Sequence, residues 1–196
     1  MTFRSDIDAV LGRERRRYDL NQSNYLFEAT SSYRIRPVEI AAVISHASRH
    51  LVDRENEPAI SWNAIGIRAE YASPKRTGTS PRSAPVLEGE IELTHAMQQA
   101  YVDYVWLTHM RVDARHPVTG RTSLVASAYG EVRGVNHLAR GERVCGGWIE
   151  GGVRVNGRAA AVELFAGYER RLDAYPTDRF RVRMVTLGFR IVSLRK

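Results

Sequence analysis

Ala159-Ala160-Ala161-Val162-Glu163-Leu164-Phe165-Ala166-Gly167-Tyr168-Glu169-Arg170-Arg171-Leu172 and, after a charged loop, Arg181-Val182-Arg183-Met184-Val185-Thr186-Leu187-Gly188-Phe189-Arg190-Ile191-Val192-Ser193 decide the architecture of this chain. In the first stretch Ala160, Val162, Leu164, Ala166 and Tyr168 alternate with Glu163, Phe165, Gly167, Glu169 and Arg171. In the second, Val185, Leu187, Phe189 and Ile191 alternate with Met184, Thr186, Gly188 and Arg190. Successive side chains of a strand point to opposite faces, so each stretch reads as a strand between an apolar and a polar medium.

Upstream the same two-residue rhythm recurs without a helical stretch of comparable strength. It predicts strands near 23–35, 38–50, 60–72, 86–94, 100–115, 122–135 and 143–155, preceded by a first strand near 3–11. The organisation expected is an N-terminal segment, 1–22, carrying a partial first strand, and a β-barrel domain over 23–196. The fold class is all-β, an antiparallel up-and-down meander closed into a barrel of about eight to ten strands. Arg36-Pro37, the 116–120 segment and Asn156-Gly157 supply short turns. Asn-Gly between alternating runs is the strongest hairpin signal, because a type I′ turn requires φ > 0 at both central positions. Longer, charged connections at 51–59, 136–142 and 173–180 fall at the opposite ends of the strands, while 73–85 breaks that rule.

Which face is inside depends on strand length and on the chemistry of each face. Strands of 12–14 residues exceed the usual five or six of soluble sheets and are long enough to cross a bilayer at a tilt. Short turns at one end and longer loops at the other are the pattern of membrane barrels. Glu28, Arg34, Glu39, Arg68, Glu92, Arg111, Glu131, Arg133, Glu150, Arg154, Glu163 and Arg190 share one face, with both signs on nearly every strand. Such a set forms a cross-strand lattice inside a narrow barrel. Tyr25, Phe27, Tyr33, Ile40, Ile44, Ile65, Ile67, Tyr71, Tyr104 and Trp106 would then meet acyl chains. A soluble barrel of the lipocalin type carries the same alternation with the apolar face inward.

Composition adds boundaries. The 196 residues suit one domain, and no apolar run is long enough for a transmembrane helix. A net charge of +7 suits an anionic partner such as phospholipid, lipopolysaccharide or nucleic acid. Nucleic acid is not expected, because the aromatics share the aliphatic phase and the arginines alternate with glutamates. The single cysteine, Cys145, excludes an intramolecular disulfide; on the apolar phase it is expected to be buried as a small hydrophobe. His95 and His109 fall on different phases, so no metal site is expected, and no cofactor. The start, Met1-Thr2-Phe3-Arg4-Ser5-Asp6, lacks the pattern of a secretory signal.

Several stretches carry a resemblance: Ser45-His46-Ala47-Ser48-Arg49-His50-Leu51-Val52-Asp53-Arg54, the returning Ile60-Ser61-Trp62-Asn63-Ala64-Ile65-Gly66-Ile67-Arg68, Asn21-Gln22-Ser23-Asn24-Tyr25-Leu26-Phe27, and the closing hairpin quoted first. Together they resemble uncharacterised bacterial outer-membrane β-barrel proteins. That resemblance implies an outer-membrane location, a structural or small-solute barrel, outer-membrane lipid or lipopolysaccharide as surroundings, and the barrel-insertion machinery as a partner. The ending Val192-Ser193-Leu194-Arg195-Lys196 departs from the terminal aromatic of such barrels, which leaves room for a larger barrel.

More distantly, His46-Ala47-Ser48 is similar to the His-x-Ser element of lipid A deacylases, with Arg49 where that family has Asn. In this alternative His46 takes the proton of Ser48, which attacks an ester carbonyl of an acylated sugar. The acid comes from Asp53, Glu55 or Glu57, with Glu57 carried forward as the candidate. Arg49, His50 and Arg54 form a basic rim for phosphates. His46 and Ser48 share the phase of Ile40 and Ile44, the lipid-facing side. A soluble lipocalin-like ligand-binding barrel is the further alternative.

Overall fold

The computed structural model describes residues 1–12, 19–51, 59–73, 85–136, 143–171 and 182–193. Ten strands follow one another: β1 (Thr2–Gly12), β2 (Asp19–Ile35), β3 (Val38–Leu51), β4 (Ile60–Ala72), β5 (Val86–Ala100), β6 (Tyr104–Pro117), β7 (Thr122–Val135), β8 (Arg143–Asn156), β9 (Ala160–Arg171) and β10 (Val182–Ser193). They make one sheet in which each strand pairs antiparallel with its sequence neighbours, in the order β1 to β10. The all-β, up-and-down reading of the sequence is therefore met.

Closure is not. β1 and β10 are the two edges of the sheet, and among the described residues no register joins them. The reason is topological: every pairing present is held by a hairpin connection, whereas this one would join the two strands most distant in sequence, with no turn to fix it. The sheet is nevertheless curled. Arg190 on β10 lies within electrostatic range of Arg111 and Asp113 on β6.

The faces divide as the alternation requires, and they divide inside out. On the outer, convex face Ile67, Leu164, Val185, Leu187, Phe189 and Ile191 are exposed, Leu187 by 78%. On the inner face Glu28, Arg68, Glu92, Arg133 and Glu163 are buried. Large apolar side chains stand on the outer face of every strand, β6 and β7 contributing Met110 and Leu124. Cys145 also lies on this face and is exposed, contrary to the burial expected from its phase. Phase tells which neighbours a residue shares, not which of the two faces is covered.

Three local departures have identifiable causes. β5 runs on to Ala100, with a bulge opposite Asn63/Ala64, instead of turning near residue 95. Nothing between His95 and Asp103 is Gly or Pro, so the sequence there carries no turn residue. The turn is made with Tyr101 at φ 59°, and Asn136 N–H donates to the Asp103 carbonyl at 3.0 Å. A second irregularity, between Tyr104 and Trp106, shifts the phase by one residue. Tyr104 thereby turns inward, 5% exposed and edge-on to Trp62, whereas the alternation put it outside with Trp106. Thirdly, the β8–β9 turn is closed by Gly157 N–H donating to the Ala160 carbonyl at 2.8 Å. Neither Asn156 nor Gly157 has positive φ, so the expected type I′ turn on this pair is not formed. Asn156 N–H is used instead to bond the Arg121 carbonyl at 2.8 Å, which moves the turn two residues on.

Outside, the Trp106 indole lies across Gly134, where a Cβ would come within 2.2 Å of Nε1. Gly134→Val is expected to dislodge the indole and lower stability by about 1–3 kcal/mol through overpacking. The same substitution in a Trp106→Ala background should cost much less. Denaturant unfolding of the four proteins checks this, and equal costs in both backgrounds would refute it.

Candidate functional site

Two places collect polar side chains with chemistry: the outer face of β3 near its C-terminal end, and the concave interior.

At the first, His46 and Ser48 lie on the outer face, as their shared phase with Ile40 and Ile44 requires. His46 is opposite Phe27 on β2 and Asn63 on β4, while Ser48 is opposite Tyr25 and Ser61. The imidazole stacks on Phe27, with ring centroids 6.4 Å apart. Its Nδ1 pairs with Asn63 Oδ1 at 2.7 Å, so Nδ1 carries the hydrogen, and Asn63 Nδ2 donates to Gln98 Oε1 at 3.0 Å. A row His46–Asn63–Gln98 thus runs across three strands and orients the ring, with no partner for Nε2 among the described residues.

Among the described residues no hydrogen bond joins His46 to Ser48, and Ser48 is only 8% exposed. Asn63, which sequence reading missed, occupies the place where an acid was sought; being neutral, it orients an imidazole without stabilising an imidazolium. Its signal was register, since it lies directly opposite His46 on β4. The rim expected from Arg49, His50 and Arg54 is not gathered on one face. His50 is edge-on to Tyr25 outside, with centroids at 5.5 Å, and Arg49 sits 5.6 Å over the Trp62 ring inside. Glu57 and Arg54, with Asp53 and Glu55, lie outside the described residues.

The interior is layered along the strands. Near the short β2–β3 turn, Arg34 pairs with Glu39, its Nε 2.6 Å from Oε2, and Arg111 Nε bonds Asp113 at 2.7 Å. Arg34, Arg36, Glu39, Glu70, Glu88, Glu90, Arg111, Asp113 and Arg115 line a half-open cavity of about 1620 Å³ at this end. One layer deeper, Arg68 Nη2 is 2.5 Å from both Glu28 and Glu92, and its Nε donates to Glu92 at 2.7 Å. To reach Glu28 the guanidinium crosses β3, whose inner residues Ala41 and Val43 are buried, Val43 completely. His109 Nε2 meets Glu90 at 2.8 Å beside this bridge.

On the far wall Arg154 and Arg190 hold Glu163 at 3.2 and 2.5 Å, and Arg190 also pairs with Glu150. Arg190 caps the Phe165 ring, 4.8 Å from its centroid, and Tyr129 stacks on Trp148 at 6.1 Å. At the opposite end of the strands an apolar cluster lies on the inner face of β3, β4, β6 and β7: Ile60, Trp62, Ala64, Tyr104 and Val135, with Ala47, Val102 and Leu107 against it. Arg133 ties the two layers together, donating to Tyr104 Oη and to Glu131, each at 2.8 Å.

His95 and His109 lie on opposite faces, as expected. No group of three or more potential metal ligands occurs among the described residues. No helix is long and apolar enough to cross a membrane, which says nothing about crossing by strands. No protein-family model, curated protein or solved structure matches the chain.

Proposed function

We propose that this chain is a bacterial outer-membrane β-barrel protein of structural or small-solute type, its strands spanning the bilayer and β1 meeting β10 to close the wall. One observation carries the reading: the large apolar side chains stand outward while ion pairs fill the interior. Burying a single Leu, Ile or Phe is worth about 1.5–3 kcal/mol, so leaving this whole band in water forgoes on the order of tens of kcal/mol. A domain's net stability is only about 5–15 kcal/mol, so the band calls for an apolar surrounding. Hydrocarbon supplies it, and a soluble lipocalin-type barrel would have the faces reversed. Partners on this reading are outer-membrane lipids or lipopolysaccharide and the barrel-insertion machinery.

Sarkosyl fractionation and heat-modifiable gel mobility test it. The expected result is a Sarkosyl-insoluble membrane fraction and a folded band that shifts on boiling. A monodisperse, folded protein in detergent-free buffer would sink the proposal.

A second reading keeps the ester hydrolase, favoured by His46 being oriented through Nδ1 by Asn63 on the outer face that also carries Ser48. Mass spectrometry of lipid A from cells making the wild type or Ser48→Ala decides it. Unchanged acylation in both eliminates the activity.

A further inference from the structure

We infer that the interior is a blind vestibule, entered from the short-turn end and closed by two barriers in series, so that the inserted protein binds polar solute there and does not conduct it. The inference rests on the membrane reading above and asks what such a barrel does. The cavity begins at the rim beside Pro37 and Pro85 and is walled by β2 to β6. Its rim charges are wet: the side chains of Arg34 and Arg111 are 66% and 52% exposed. At the Glu28–Arg68–Glu92 bridge the three side chains fall to between 7% and 10%. Exposure falls sharply at that layer.

Above it lies the second barrier, of opposite chemistry. Ile60, Trp62, Tyr104 and Val135 are each less than 10% exposed and touch one another. An apolar constriction excludes ions by staying dry, whereas a salt bridge excludes them by occupying the passage with groups that are costly to separate. Across the lumen the Phe165 ring lies over Gly188, whose absent Cβ would lie 2.8 Å from the ring, and Arg190 caps that ring. Across the vestibule wall three carboxylates in register, Glu39, Glu70 and Glu90, stand between Arg34 and Arg111. The solute class that fits is small and zwitterionic, one group on a carboxylate and the other on a guanidinium.

The test reconstitutes the full chain in planar bilayers after heat-modifiability has verified insertion. Wild type, Arg68→Ala and Trp62→Ala should give no discrete current steps, because each single variant keeps one barrier. Arg68→Ala combined with Trp62→Ala should give them. A chain that never inserts refutes the membrane reading, whereas an inserted wild type with steady single-channel current overturns this inference alone.

Because the double variant can fail to fold, a second measurement uses native-like protein in a Cys145→Ser background. A membrane-impermeant maleimide should label Glu88→Cys, at the vestibule rim, and leave Thr94→Cys, between the barriers and 5% exposed in the native structure, unlabelled. Labelling at Thr94→Cys from either side would refute the inference. Competition by glycylglycine, lowering the labelling rate at Glu88→Cys, is expected of a zwitterion site; an unchanged rate would reject the solute class.

Discussion

Replacing Arg68 by alanine is expected to cost about 3–5 kcal/mol of unfolding free energy, the penalty for breaking a buried ion pair from one side. Among the described residues the guanidinium is the only permanent cation paired with Glu28 and Glu92, His109 Nδ1 standing 3.9 Å from Glu92, and the three side chains of the bridge are at most 10% exposed. Its removal leaves two carboxylates facing each other over buried Val43. Denaturant unfolding in lipid vesicles measures the loss. Replacing all three members together, Arg68→Met with Glu28→Gln and Glu92→Gln, should recover most of it, because the cost is an orphaned charge more than a lost attraction. A loss below about 1 kcal/mol would put the bridge in the class of water-screened surface pairs and refute the buried interior.

On the proposed membrane reading, Ile67→Arg should cost about 2–4 kcal/mol, the penalty for a cation on a lipid face near the bilayer midplane. Ile67 sits on β4 midway along its apolar outer row, between Ile65 and Ala69, and is 61% exposed. The sign of this effect separates environments. An exposed isoleucine on a water-soluble sheet would tolerate arginine with little change, and solubility would rise. Neutral or improved behaviour would therefore overturn the membrane reading, whatever Arg68→Ala does.

The strands were legible because alternation is a local property and most turns carry their own residues. β4 and β7 follow the sequence reading at both ends, and Pro37 falls between strands as expected. What stayed hidden is non-local or one residue wide. The bulge beside Tyr104 reverses a face without leaving a mark on its own strand, since no Gly or Pro lies there and Gly134 opposite is found only through the register. Asn63 could not be assigned to His46 without the register that sets them opposite each other. The tripartite bridge needs Arg68 to reach across a whole strand, which the alternation of β4 alone cannot reveal. Arg49 is different. Its inward direction follows from the same period that puts His46 and Ser48 outward, so grouping it with them overlooked a signal already in the sequence.

The two unmatched margins of the sheet bear on how such a chain assembles. Each presents a column of amide and carbonyl groups, and in hydrocarbon every one left bare costs several kcal/mol. Water tolerates those columns, but it does not tolerate the greasy exterior beside them. Neither medium alone suits the unzipped ribbon, so under the proposed membrane reading hairpins accumulate at a boundary and the longest-range contact forms last. Assembly on this view finishes at the seam, and the bilayer is the agent that draws it shut.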